Sequence, residues 1–187
     1  MSAPRILLHH DATARLAARL AEACPEAELH CCNSYADLPG ALAHFRPDIV
    51  YAVRFAGSKG YPRAALLGPD GPRWVAVGGA GTDHLGLWET ERFIVTNSAG
   101  VAAEMMAEYV FGGFLHFTLD VPGLQNDQAA RAWNTRKMLR LRGKTLLILG
   151  LGHTGQAIAR LGRAFGMHVI GTRARPEPME AVDEVHA

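Results

Sequence analysis

The stretch that most constrains the fold is residues 144–173, KTLLILGLGHTGQAIARLGRAFGMHVIGTR. Its apolar run Thr145–Leu149 lacks polar alternation, the pattern of a parallel strand covered on both faces. The run enters Gly150, Leu151, Gly152, His153, Thr154 and Gly155, a GxGxxG turn. A helical pattern is expected over residues 156–165, Gly166 stops it, and residues 167–171 give a second apolar strand. This is one βαβ unit of the usual length, roughly 30 residues, and a glycine turn in that context implies dinucleotide binding.

Each residue of the turn has a physical task. Gly150 permits the tight turn off the strand, Gly152 removes a Cβ from the approach of a pyrophosphate, and Gly155 lets helix and strand pack closely. His153 and Thr154 lie between the last two glycines, where a helix N-terminus offers free N–H groups to phosphates. Cofactor preference is set at the end of the second strand, where an acid roughly 20 residues on would hold the ribose 2′-hydroxyl of NAD. Thr172 and Arg173 stand there instead, and the first carboxylate is Glu177. The guanidinium groups of Arg173 and Arg175 suit a 2′-phosphate. NADP is the expected cofactor, with NAD the alternative if both arginines only cap a solvent-facing strand end.

The 187 residues, 49% of them hydrophobic, suffice for one large packed domain or two small ones. A net charge of +1 leaves no basic surplus for nucleic-acid phosphates, so small molecules are the expected partners. Cys24, Cys31 and Cys32 have no CxxC spacing and read as reduced core thiols in the cytoplasm. The first apolar run, Ile6, Leu7 and Leu8, is too short for a signal peptide, and no stretch approaches the roughly 18 apolar residues of a membrane span. Without HExxH or a Cys/His cluster, no metal site is expected.

Along the chain, strands are expected over residues 5–9, 28–32, 48–53, 74–77 and 93–96. Asp11 can cap a first helix and Pro39 can open a second, and this βαβαβ order argues for a parallel sheet. The fourth strand runs into Gly78, Gly79, Ala80 and Gly81, whose small residues let the backbone come close to a ligand and form an anion-binding nest; a flexible loop is the other reading. The helix expected over residues 101–118, VAAEMMAEYVFGGFLHFT, is apolar on nearly every side and must be buried inside the chain or against a second subunit. Gly112 and Gly113 would let another backbone approach it. Glu104 and Glu108 suit the helix dipole better than acid–base work. Residues 120–142, with Pro122, Gly123 and Trp133, read as a polar arm or linker.

Three segments in order, WVAVGGAGTDHL, IVTNSAGVAAEMMAEYVFGGFL and LRGKTLLILGLGHTGQAIARLGRAFGMHVIGTR, with the tryptophan-containing arm before the last, carry a resemblance. Together they resemble the D-isomer-specific 2-hydroxyacid dehydrogenases, which include glyoxylate/hydroxypyruvate reductases and phosphoglycerate dehydrogenases. The resemblance implies an α/β chain: a flavodoxin-like parallel-sheet substrate domain over residues 1–99, then the first part of a Rossmann-type nucleotide-binding domain over residues 100–187. It implies reduction of a small 2-keto acid such as glyoxylate or hydroxypyruvate with NADPH. The N–H groups of Ala80 and Gly81 would bind the substrate carboxylate, Arg54 and Phe55 would face the same cleft, and Met106 would lie near the nicotinamide. A homodimer would form through the helix over residues 101–118. The family's arginine, glutamate and proton-donating histidine have no matching motif here, so no catalytic residue is assigned. The expectation is a C-terminally truncated family member; the alternative is a non-catalytic dinucleotide-binding or interaction module.

Overall fold

The computed structural model describes residues 3–187, which form two compact units divided between Ala99 and Gly100. The first unit contains β1 (Arg5–His9), α1 (Thr13–Ala23), β2 (Glu28–Cys32), α2 (Leu38–Phe45), β3 (Ile49–Ala52), α3 (Arg63–Leu66), β4 (Trp74–Val77), a 3-10 turn (Asp83–Leu85) and β5 (Ile94–Thr96). All pairings are parallel and the strand order is β2-β1-β3-β4-β5, the flavodoxin-type doubly wound sheet. Its core joins Leu7, Val50 and Val75 of the central strands to Leu38, Leu42 and Leu66 of α2 and α3. Each such fully buried side chain contributes roughly 1.5–3 kcal/mol. Parallel strands bring their C-terminal ends to one edge, which is where the loops after β3 and β4 meet.

Two expectations for this unit change. Asp11 does not cap α1; the Ala12 N–H is satisfied by His10 Nδ1 at 2.8 Å, and α1 starts without a side-chain cap. The three cysteines are free, but only Cys32 is a core thiol. Cys31, its neighbour on β2, points to the opposite face and is exposed, as the two-residue period of a strand requires.

The second unit contains α4 (Ala103–Thr118), α5 (Val121–Ala130), β6 (Thr145–Leu149), α6 (His153–Ala164), β7 (His168–Thr172) and β8 (Glu184–His186). Its three strands are parallel in the order β6-β7-β8. Ala103 and Ala107 of α4 pack on Ala157 of α6, and the Phe111 and Phe165 rings stack at 4.9 Å. Gly162 lets α6 sit close on the sheet, since a Cβ there would lie 2.7 Å from Leu146 Cδ2.

Here the structure departs further from the sequence expectations. β6 is covered on one face only: Leu146 and Ile148 are buried, whereas Leu147 and Leu149 are 59% and 80% exposed. The α4 helix is likewise one-sided, with Ala103, Ala107 and Phe111 buried and Tyr109 and Phe117 78% and 79% exposed, so it is not buried all round within the chain. A Cβ built at Gly112 or Gly113 meets nothing within 4 Å, so no backbone approaches there in this unit. The segment read as an arm contains α5, whose start is capped by Asp120 accepting from the Gly123 N–H at 3.3 Å, with Pro122 in the first turn. β8 adds a third strand that the sequence pattern does not mark. No helix of the described residues is long and apolar enough to cross a membrane.

Candidate functional site

The glycine turn of the second unit is built by local geometry. Gly152 adopts an extended conformation, φ −76° and ψ −166°, and serves as the N-cap of α6. The helix therefore begins at His153, three residues before the sequence expectation, and its first intrahelical bond runs from Gln156 N–H to the Gly152 carbonyl at 2.9 Å. The N–H groups of His153, Thr154 and Gly155 precede that bond and remain available at the positive end of the helix. Gly150 turns the chain at φ +101°, and a Cβ built at Gly150 or Gly152 meets nothing within 4 Å, so the space above the turn is open. Gly155 is different: a Cβ there would run into the Gly150 carbonyl oxygen and come within 3.2 Å of Ile148 Cγ2. The third glycine is thus demanded by helix–strand packing and the first two leave room for a ligand.

Thr172 is fastened to this turn, and Arg173 follows it. The Gly150 N–H donates to Thr172 Oγ1 at 3.2 Å and the Leu151 N–H to the Thr172 carbonyl at 2.9 Å. The Arg173 N–H donates to the His186 carbonyl at 2.8 Å, tying it to the end of β8, while its Nη1 donates to Glu177 Oε1 at 2.6 Å. Arg175 is exposed in the same loop. The His153 ring covers Gly100, which has φ +88° and where a Cβ would lie 2.9 Å from His153 Cδ2. Met106 is half-exposed on α4, next to the Ala107 that packs on α6. Gly150, Gly152, His153, Thr154, Gly155, Thr172 and Arg173 therefore lie together, with Met106 on the adjoining helix. Free N–H groups, an open cradle and no carboxylate among these residues fit a pyrophosphate.

The second candidate lies wholly in the first unit, where β3 and β4 end. Arg54, Gly79, Gly81, Asp83 and His84 line a cavity of about 420 Å³. Among the described residues the N–H groups of Ala80 and Gly81 make no internal hydrogen bond. Ala80 does not line the cavity, and its carbonyl accepts from Asn97 Nδ2 at 2.7 Å. The loop is held as well by Ser98, whose Oγ donates to the Val77 carbonyl and whose N–H donates to the Gly79 carbonyl, both at 3.0 Å. None of Gly78, Gly79 or Gly81 has positive φ, so the run makes its turn without a left-handed glycine. Its N–H groups are free because the strand ladder has ended.

Two aromatic contacts decide what faces this cavity. Phe55 is buried rather than facing it: its N–H donates to Tyr35 Oη at 2.7 Å, and its ring packs on Tyr35 at 4.5 Å and on His9 at 4.6 Å. Arg54, the residue before it, lines the cavity. His84, which no sequence motif singled out, lines the cavity with Tyr61 edge-on to its ring at 4.4 Å. Burial pushes the His84 pKa below the ordinary histidine value, and the Arg54 guanidinium adds to the effect against the opposing pull of Asp83. His84 Nε2 is buried without a hydrogen-bond partner. A neutral imidazole beside a guanidinium and the free Gly81 N–H can receive a small anion with a polar substituent. Among the described residues no group of three or more His, Cys, Asp or Glu side chains could hold a metal ion.

Residues 111–187 match the D-isomer specific 2-hydroxyacid dehydrogenase, NAD binding domain family. The chain is also 28% identical to a solved D-isomer specific 2-hydroxyacid dehydrogenase family protein from Aeromonas salmonicida, with a TM-score of 0.84 over 99% of this chain and 58% of that one. Residues 111–187 thus belong to the NAD binding domain of the D-isomer specific 2-hydroxyacid dehydrogenases. A glyoxylate reductase from Aeropyrum pernix is 37% identical over 98 residues, 46% of this chain and 29% of that protein. A hydroxypyruvate reductase from Thermotoga maritima is 31% identical over 117 residues, 58% of this chain and 38% of that protein. The chain thus spans well under two thirds of the length of the relatives it matches. The glycine turn, Thr172 and Arg173 all fall inside the stretch matched to the dehydrogenase NAD binding domain, a match that indicates a nicotinamide dinucleotide cofactor.

Proposed function

We propose that this chain binds NADPH at the α6 turn and takes part in reducing a small 2-keto acid, glyoxylate or hydroxypyruvate, held at the cavity after β4. The observation that carries the reading is the open cradle over Gly150 and Gly152 against the free N–H groups of α6. His153, Thr154 and Gly155 would hold the pyrophosphate, Thr172 and Arg173 would face the adenosine ribose, and Met106 would border the nicotinamide. The free N–H groups of Ala80 and Gly81 support a role in gripping the substrate carboxylate, with Arg54 as the neighbouring cation. When bound, the dinucleotide supplies hydride; the chain's own residues bind and orient. No residue is assigned to proton transfer.

The names of the Aeropyrum pernix and Thermotoga maritima relatives support glyoxylate or hydroxypyruvate as substrate, and the two arginines after β7 support NADPH. The exposed apolar face of α4, with Met105, Tyr109 and Phe117, supports a homodimer through that helix. Three free cysteines support a reducing cytoplasm. Titration with NADPH and NADH, followed by assays with glyoxylate, hydroxypyruvate and pyruvate, tests the reading. Failure to bind either dinucleotide rules it out. Binding without turnover supports the second reading, a non-catalytic dinucleotide-binding or interaction module. Sedimentation of Tyr109→Asp against the parent chain tests the dimer: loss of a dimer is expected, and a parent chain that sediments as a monomer refutes it.

A further inference from the structure

The loop after β7 contains a contact that the glycine turn does not explain. Arg173 follows Thr172, the residue bonded to the turn, and so stands where a 2′ substituent on the adenosine ribose would arrive. Its guanidinium is already engaged by the Glu177 carboxylate at 2.6 Å. The two residues are four apart, but this is no helical pair, because residues 173–179 form neither helix nor strand. Glu177 lies between Pro176 and Pro178. The ring of Pro178 confines Glu177 to extended backbone, and Pro176 fixes the φ of the preceding position. The carboxylate is therefore presented to Arg173 by a stiffened loop, and little backbone entropy is lost in holding the pair.

We propose that Glu177 is the selector for the cofactor's 2′ substituent: it holds Arg173 in a carboxylate clasp that a 2′-phosphate must break and that a 2′-hydroxyl can leave intact. This rests on the dinucleotide reading of the α6 turn. A 2′-phosphate competes with the carboxylate for the same guanidinium edge, and the stiff loop keeps the displaced carboxylate nearby as a like charge. A 2′-hydroxyl carries no charge, so NADH meets neither cost. Arg173 by itself would make the chain strongly selective for NADPH; with Glu177 the preference is narrowed.

The test is titration of the full chain with NADPH and with NADH, followed by cofactor fluorescence. The variants are Glu177→Gln, Arg173→Gln and the double substitution, with a thermal melt of each to establish folding. Exposed ion pairs are worth up to about 1 kcal/mol, so Glu177→Gln is expected to raise the NADPH-over-NADH preference about two- to fivefold. In the Arg173→Gln background the same substitution should raise the preference less, through the loss of like charge alone, because there is no guanidinium to release. An unchanged or lowered preference in Glu177→Gln overturns the selector while leaving the turn's role intact. An equal rise in the Arg173→Gln background also overturns it, since the carboxylate would then act as a general negative charge. If the parent chain binds neither dinucleotide, the reading of the turn falls first and the selector with it.

Discussion

β1 and β6 are both five-residue apolar runs, RILLH and TLLIL, and both pair in parallel. β1 lies between β2 and β3, and all of its residues after Arg5 are buried. β6 is at the edge of the three-stranded sheet, and its burial alternates along the strand. The strand ends differ too. β6 delivers its free N–H groups through a positive-φ glycine and a helix N-terminus, whereas β4 delivers them through a loop pinned by Asn97 and Ser98. An apolar run states what a strand is able to bury; the layers packed on it decide what it does bury. A glycine run, likewise, permits a close approach without saying which geometry provides it.

The largest expected effect separates the two sheets. Leu7→Ala, at a fully buried position, should cost about 2–5 kcal/mol in chemical denaturation, while Leu149→Ala should stay within about 0.5 kcal/mol. Equal costs would mean that the outer face of β6 is covered in solution, and the contrast would collapse. The two glycine turns give the next effect. Gly155→Ala should cost about 1–3 kcal/mol and abolish dinucleotide binding, because its Cβ meets the Gly150 carbonyl. Gly79→Ala, with open space around the new Cβ and no positive φ to strain, should leave the melting temperature unchanged. A Gly155→Ala chain that still binds NADPH would show that the helix can shift to admit the methyl group.

A smaller effect concerns acid stability, through His9 of the first sheet. His9 at the end of β1 is fully buried with neither ring nitrogen hydrogen-bonded, and burial lowers its pKa below 6.5. The unfolded chain therefore takes up the proton more readily than the folded one. The stability gained by keeping His9 neutral is whole above about pH 6.5 and is lost as pH falls from there toward the lowered folded value. Melts at pH 7.5 and 5.5 should show a drop in the parent chain that His9→Phe reduces. An equal drop in both would remove His9 as the cause.

Much of this was legible residue by residue. The spacing of apolar runs marked seven strands within a residue or two, and the GxGxxG turn announced its helix because glycine's freedom and strand period are local properties. The start of α6 was misplaced because a helical pattern is read from its buried side chains, whereas the helix begins at its extended cap, Gly152. β8 was missed because three residues, EVH, carry too little periodicity to stand out. The α5 helix hid behind Pro122 and Gly123, which read as breakers although proline belongs in a first turn.

By itself the sequence determined a parallel α/β chain with a phosphate-ready glycine turn, because strand period, helix period and glycine chemistry depend on neighbours along the chain. Only the tertiary structure decided that Phe55 turns inward onto Tyr35, that His84 joins Arg54 at one cavity, and that β6 is bare on one face. These outcomes depend on side chains some twenty or more residues apart, or on which layers cover a sheet, and no local pattern encodes them.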